Sequence, residues 1–134
     1  MLSFAVLAAT ALSVPPLRGA LLGFLAVACG AFGAHALAGR LDPEQLEWWQ
    51  TASHYHLAHA LALALVGCVP GSARIRGLAG LAFLGGVLLF SGSLYAMALG
   101  APRWFGAITP LGGLCFLLGW LALLGAGRSS GSAH

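Results

Sequence analysis

The sequence contains very little charge, and this shortage decides the class of protein. Six arginines, no lysine and three acidic residues make up 7% of the 134 residues, whereas a soluble domain carries about a quarter. A conventional water-soluble domain is therefore excluded. The arginines are scattered singly along the chain and form no basic patch, so nucleic acid is not an expected partner.

Cysteine is also scarce. Cys29, Cys68 and Cys115 each lie inside an apolar run, and no two of them have the Cys-x-x-Cys spacing. An odd number of cysteines without that spacing predicts neither a disulfide framework nor a thiolate zinc site. We interpret the three thiols as small buried hydrophobic side chains.

What the sequence has in quantity is long uncharged segments. A helix of about 20 apolar residues crosses a hydrocarbon core of about 30 Å. Four runs without a charged residue reach that length: 19–39, 48–73, 77–102 and 104–127. The sequence thus predicts an all-α integral membrane bundle of four transmembrane helices, which forms one domain over 17–127 in the lipid bilayer. The predicted spans are about 19–38, 52–69, 77–99 and 104–126.

The two ends of the chain lie outside this predicted bundle. Residues 1–16 form a short apolar N-terminal extension that is stopped by Pro15 and Pro16, and a segment this short does not cross a membrane alone. Three interpretations stay open: a signal-like segment, an interfacial helix, or a misassigned start of translation. Residues 128–134, rich in serine, are predicted to be a disordered tail.

Local signals indicate where helices begin and bend. Asp42, Pro43 and Gln45 match a helix start, with aspartate as the N-cap, proline in the first helical position and glutamine reaching back to the cap. Pro110, about two turns into the last span, predicts a kink or local unwinding. In the first span small residues recur every four positions and predict close helix packing, namely Gly19 with Gly23, and Ala26 with Gly30 and Ala34.

The distribution of arginine predicts the orientation in the membrane. Four arginines fall on one side of the predicted bundle, and two fall on the other with all three acidic residues. Because arginine is enriched in cytoplasmic loops, both termini are predicted to be cytoplasmic, in a plasma or bacterial inner membrane. Trp48 and Trp49 are predicted to lie in an aromatic belt at the opposite interface. The majority side holds Arg18, Arg74, Arg76 and Arg128, and the minority side holds Arg40 and Arg103.

Polar side chains inside the predicted spans are the unusual part of the sequence. His59 lies ten residues past Trp49, which places it about 15 Å deep in a regular helix and close to the midplane of the bilayer. An imidazole at that depth is costly and needs a structural or functional reason. Polar residues of all four spans fall in the same half of the bilayer and form the candidate cluster: His35, Tyr55, His59, Ser91, Ser93, Tyr95 and Thr109.

The leading interpretation of this cluster is structural. Such side chains hydrogen-bond across helix interfaces, so the protein is predicted to be a non-enzymatic membrane protein whose polar motifs fix helix packing or assembly. No cofactor is expected on this interpretation. The sequence holds no nucleophile paired with a base, and the three acidic residues all lie near one loop, so no catalytic residue is assigned.

The alternative is a protein that binds haem or a metal ion, or handles protons or a small solute, centred on His35 and His59. Neutral imidazole is the commonest metal ligand in proteins, and His56 shares a helix face with His59. His35 on the preceding span would add a third nitrogen. A proton path would instead use Tyr55, His59 and Tyr95 as relay groups.

Five short motifs in the chain resemble the domain-of-unknown-function 423 family, also called UPF0382, whose eukaryotic relatives are named transmembrane protein 256. The similarity covers about 17–126. It implies a small multi-pass membrane protein, with no assigned activity to carry over. The small-residue helix faces themselves predict association, so a homo-oligomer or a membrane complex is the expected assembly. The motifs are Gly30-Ala-Phe-Gly-Ala-His-Ala-Leu37, Tyr55-His-x-x-His-Ala-Leu-Ala-Leu63, Phe90-Ser-Gly-Ser-Leu-Tyr95, Ile108-Thr-Pro-Leu-Gly-Gly113 and Gly119-Trp120.

Overall fold

The structure, a computed structural model, describes residues 15–129, and within that range the chain forms helices and no strand. The predictions made for the N-terminal extension before Pro15 and for the tail after Ser129 lie outside the described residues. Five α-helices follow one another along the chain: α1 Pro15–Phe32, α2 Pro43–Leu65, α3 Ala73–Gly86, α4 Gly92–Ala98 and α5 Thr109–Ser129. The π-helical turns Gly33–Leu37 and Val87–Ser91 extend α1 and join α3 to α4, and the 3₁₀ turns Val66–Cys68 and Arg103–Ala107 follow α2 and precede α5.

The start of α2 has the predicted capping structure. A carboxylate oxygen of Asp42 accepts a hydrogen bond from the backbone N–H of Gln45 at 2.8 Å, and the side-chain oxygen of Gln45 accepts one from the N–H of Asp42 at 3.1 Å. Pro43 occupies the first turn, where its missing N–H costs nothing. The sequence prediction for this boundary is therefore confirmed.

The other boundaries depend on caps and on two glycines. The Ser72 hydroxyl accepts a hydrogen bond from the Ile75 N–H and begins α3. Gly71 just before it and Gly100 just after α4 have positive φ angles of 126° and 104°. Since only glycine adopts this conformation readily, both turns require the residue that the sequence supplies.

Close backbone contact holds α1 antiparallel to α2. A methyl group at Gly19 would overlap the backbone of Ala64, and one at Gly33 would overlap the indole of Trp49. Gly19 therefore lies against the end of α2 and Gly33 against its beginning. The prediction of close packing through small residues is confirmed at Gly19, whereas Gly23 has no atom near enough to restrict a side chain.

The second antiparallel pair is α3, extended by α4, with α5. A side chain at Gly86 would overlap the ring of Phe116, one at Gly112 would overlap the backbone of Phe90, and one at Gly119 would overlap a phenylalanine ring of α3. Because α2 also packs on α3 and α4, the bundle has α2 and α3 at its centre, with α1 and α5 flanking them.

Three helical stretches are long and apolar enough to cross a membrane: Pro15–Leu37, Ala73–Ala98 and Arg103–Arg128, of 23, 26 and 26 residues. The second predicted span does not meet the same standard. Its helix, Pro43–Leu65, also has 23 residues, but it is less apolar, because Gln50 and three histidines lie in its otherwise uncharged part. The structure thus confirms an all-α membrane bundle of four long helical segments. The most polar of them, α2, lies alongside α1.

The expected disturbance at Pro110 takes a specific form. The chain runs through the 3₁₀ turn Arg103–Ala107 and then begins α5 at Thr109, so Pro110 lies in the first turn of that helix. A proline is tolerated there because the first N–H groups of a helix have no intrahelical partner. The irregularity precedes α5 and does not kink its middle.

Candidate functional site

The polar side chains named from the sequence lie at different helix interfaces. Four of the eight are buried: His56, His59, Ser91 and Ser93 are all at most 6% exposed. Each forms a hydrogen bond with a group on another helix.

His59, the imidazole placed near the midplane, has hydrogen bonds at both ring nitrogens. Its Nδ1 lies 2.8 Å from the backbone carbonyl of Tyr55, and the indole N–H of Trp120 on α5 donates to its Nε2 over 3.2 Å. A carbonyl only accepts and an indole only donates, so His59 is the neutral tautomer with its proton on Nδ1. Neither nitrogen is free to bind a metal ion unless one of these bonds breaks.

Aromatic rings surround this imidazole in nearly parallel planes. The His59 ring stacks on Phe116 of α5 with centroids 3.6 Å apart and an angle of 10° between the planes. Tyr55 lies 6° from the His59 plane and 16° from the Phe116 plane. Three nearly parallel rings from two helices, with Phe116 stacked face to face on His59, form what we call the aromatic layer.

His56, one turn before His59, faces a different helix pair. Its Nδ1 lies 3.1 Å from the hydroxyl of Tyr95 on α4, and the Cys29 thiol of α1 lies beside the same hydroxyl. Its Nε2 is buried and faces the backbone of Leu22 without a hydrogen bond of normal geometry. The helix face predicted to be shared by His56 and His59 is thus divided, with His56 directed to α1 and α4 and His59 directed to α5.

Trp49 contributes a polar contact that the sequence reasoning missed. Its indole N–H donates to the carbonyl of Cys29 at 2.8 Å, and its ring packs on Tyr95 with centroids 4.6 Å apart. The space for the ring comes from Gly33, which has no side chain. Trp49 is 5% exposed and is not part of an interfacial belt, whereas its neighbour Trp48 lies under the Arg103 guanidinium near the helix end.

The three hydroxyl groups predicted for the later spans also join helices. Ser91 donates to the carbonyl of Ala52 on α2 at 2.8 Å. Ser93 points the other way, because it lies two residues further along the helix, and its hydroxyl lies 2.6 Å from that of Thr109 on α5. These bonds connect α4 to both of its neighbours.

His35 does not join the other polar residues. It lies exposed in the π-helical turn after α1, at the level of Gly33 and therefore of Trp49. His59 is ten residues further along α2, or about 15 Å. Within residues 15–129, no group of three or more histidine, cysteine or acidic side chains is arranged to hold a metal ion. The three imidazoles that a shared ligand set would need are not brought together.

A cleft lies between α2 and α5, which meet through side chains. Its volume is about 640 Å³, and we call it the lateral cleft. The aromatic layer forms its inner part, and Trp120 is one of its walls. Its lining residues are Tyr55, His59, Phe90, Pro110, Gly113, Leu114, Phe116, Leu117 and Trp120.

Comparison with known proteins identifies the family. The family model described as protein of unknown function (DUF423) matches residues 29–113, which include the π-helical turn of α1, all of α2 and the hydroxyl-bearing part of α4. The chain belongs to the DUF423 family. No solved structure matches it.

Several bacterial DUF423 relatives carry the name UPF0382 membrane protein. One from Staphylococcus epidermidis is 44% identical over 107 residues, and one from Staphylococcus haemolyticus is 45% identical over the same length; each alignment covers 79% of this chain and 88% of the relative. YwdK of Bacillus subtilis is 40% identical over 111 residues, which cover 79% of this chain and 89% of YwdK. These names support a membrane protein and assign no activity.

Proposed function

We propose that this DUF423 protein is a non-enzymatic integral membrane protein whose polar side chains fix the packing of its helices, and that it serves as an assembly unit, either with copies of itself or within a membrane complex. The observation that carries the proposal is the distribution of its polar contacts. Trp49 joins α2 to α1, and His56 joins α2 to α4. Ser91, in the π-helical turn before α4, also bonds α2. Ser93 joins α4 to α5, and Trp120 joins α5 to α2.

The chemistry of these groups supports a structural role. His59 holds its neutral form by two hydrogen bonds, and the Ser93 hydroxyl is shared with a threonine and a backbone carbonyl. A nucleophile needs an adjacent base and an approach for substrate, which this pattern does not supply. Interhelical hydrogen bonds of this kind contribute about 0.6 kcal/mol each on average within membranes, and up to about 1.7 kcal/mol.

The assembly role follows from how little of the flanking helices is covered. Of the most apolar 18-residue segment, only 17% is buried in the first and the last membrane-length helix, which contain α1 and α5. In the stretch formed by α3 and α4 the buried share is 44%. Their outer faces carry large apolar side chains such as Phe24 and Leu121. In a bilayer these faces contact lipid or another transmembrane helix.

For the orientation, we propose cytoplasmic termini in the plasma membrane. Arg18, Arg74, Arg76 and Arg128 belong to the end where α1 and α3 begin and where α5 ends, and the acidic residues belong to the other end. An excess of arginine marks the cytoplasmic side.

The assembly role is tested by photo-crosslinking in cells. A photoreactive amino acid replaces one exposed residue at a time on three faces: Phe24 on α1, Leu61 on α2 and Leu121 on α5. An assembly unit gives a discrete crosslinked protein product from at least one face and none from another. If all three positions yield the uncrosslinked monomer alone, the assembly role is rejected, while the packing role is judged separately by stability measurements.

A further inference from the structure

The lateral cleft has the size and the lining of a ligand site. Its volume of about 640 Å³ lies within the range of about 300 to 1,000 Å³ for small-molecule sites. None of its lining residues is charged, and His59 is neutral through its bonds to Trp120 and the Tyr55 carbonyl. The ligand that fits such a lining is uncharged.

The shape of the lining favours a flat molecule. Tyr55, His59 and Phe116 have ring planes within 16° of one another, and Phe90 closes the cleft with its ring 4.6 Å from that of Tyr55. Aromatic rings in proteins prefer offset stacking or edge contacts with other rings. The rings of Tyr55 and Trp120, 44% and 49% exposed, offer such contacts to a planar ring compound, whereas a flexible acyl chain has no ring to pair with them. His59 and Phe116, only 6% and 4% exposed, form the floor of the cleft.

One residue that lines the cleft has a hydroxyl without a hydrogen-bond partner among the described residues. The Tyr55 hydroxyl forms no hydrogen bond with any residue between 15 and 129, although its ring lines the cleft and is 44% exposed. Tyr55 lies seven residues, or about 10 Å, deeper than Trp48, which is next to the ion pair of Arg103 with Glu44. At that depth water is scarce and an unsatisfied donor is costly.

We propose that the lateral cleft binds a flat, uncharged ring compound that bears a carbonyl oxygen and enters from the bilayer. Its ring packs against the exposed rings of Tyr55 and Trp120, and its carbonyl oxygen accepts a hydrogen bond from the Tyr55 hydroxyl. This activity is distinct from the packing role, because the Tyr55 hydroxyl joins no helices and the packing bonds remain intact when the cleft is filled.

The test uses two flat bicyclic probes with the same carbon skeleton, one with two ring carbonyl groups and one with none. The full-length protein in lipid nanodiscs is dialysed to equilibrium against 2,3-dimethyl-1,4-naphthoquinone or against 2,3-dimethylnaphthalene, and empty nanodiscs correct for partition into lipid. The fully substituted quinone ring avoids addition of the exposed Cys68 thiol. We expect saturable binding of one quinone per chain, and binding of the hydrocarbon about threefold to tenfold weaker, since one hydrogen bond is lost.

A matched pair of variants locates the site. Leu117 and Leu118 are adjacent on α5 and equally exposed, at 61% and 60%, but Leu117 alone lines the cleft. L117W is expected to lower quinone affinity at least tenfold and L118W to leave it unchanged. Should L117W fail to fold, G113L fills the same cleft, because a Cβ at Gly113 makes only an ordinary contact with Phe90.

Tyr55→Phe tests the hydrogen bond. It keeps the ring and removes the hydroxyl, so quinone affinity should fall to that of the hydrocarbon while hydrocarbon affinity stays constant. The proposal is overturned by an absence of saturable binding above empty nanodiscs, by equal effects of L117W and L118W, or by a quinone affinity that Tyr55→Phe leaves unchanged. Equal binding of both probes would overturn it as well, because the cleft would then take apolar molecules, such as lipid chains, without recognising a carbonyl.

Discussion

Trp120 donates its indole N–H to Nε2 of His59 over 3.2 Å, and this bond joins the last helix to the second. It explains how an imidazole is held near the midplane of a bilayer, because the backbone carbonyl of Tyr55 satisfies the other ring nitrogen. His59 is thereby fixed in one tautomer and one orientation, stacked on Phe116. The same bond makes Trp120 a wall of the lateral cleft.

Removing the indole donor should destabilise the bundle. Trp120→Phe leaves Nε2 of His59 as an acceptor without its partner, and we expect a loss of about 1 kcal/mol in the free energy of unfolding. Unfolding in mixed micelles with increasing sodium dodecyl sulfate, followed by circular dichroism, measures this. Trp104→Phe is the control, because Trp104 is 63% exposed and stacks on its neighbour Phe105. Equal losses in both variants would contradict the role given to the bond.

Among the glycines near Trp49, Gly33 should tolerate an added methyl group least. Gly33→Ala places a methyl group in the indole ring of Trp49, which must move away from the Cys29 carbonyl that it bonds. We expect a loss of about 1 to 3 kcal/mol, typical of overpacking in a filled interior. Gly30→Ala is the matched control, since no atom lies within 4 Å of its added methyl group. The same unfolding titration compares them, and a Gly33 variant as stable as the Gly30 variant would refute the contact.

The sequence predicted most about the helices and least about which polar groups meet. Periodicity and capping indicated the start of α2 at Asp42, because these signals are local and depend on residues within one turn. The direction of Ser93 away from the face of Ser91 and Tyr95 also followed from helical spacing alone.

Contacts between helices depend on how each helix is rotated about its own axis, and no local sequence signal determines that rotation. Trp49 appeared to be an interfacial residue by position, yet the gap left by Gly33 allows it to turn inward to Cys29. His35 has the same apparent depth as other polar residues, but the π-helical turn leaves it on the outer surface, at a level far from His59. Pairing such residues requires knowledge of which glycine faces which ring.

The proposed orientation makes a prediction about thiol accessibility. Cys68 is exposed in the turn after α2, at the arginine-rich end, and Gly39 is exposed in the loop at the opposite end. A membrane-impermeant maleimide should label Cys68 only after cells are permeabilised. It should label a Gly39→Cys variant, built with Cys68→Ala, in intact cells. The reverse pattern would place the arginine-rich end outside the cell.

The contact between Ser93 and Thr109 should show a measurable coupling energy. Their hydroxyls lie 2.6 Å apart and join α4 to the first residue of α5, just before Pro110. In a double-mutant cycle of Ser93→Ala with Thr109→Val, we expect a coupling of about 0.6 kcal/mol and at most about 1.7 kcal/mol. Ser53→Ala with Thr109→Val is the control cycle, since the Ser53 hydroxyl bonds the carbonyl of Gln50 within its own helix and should show no coupling to Thr109. Unfolding free energies from the detergent titration give both values, and equal coupling in the two cycles would mean that the short contact does not hold α4 to α5.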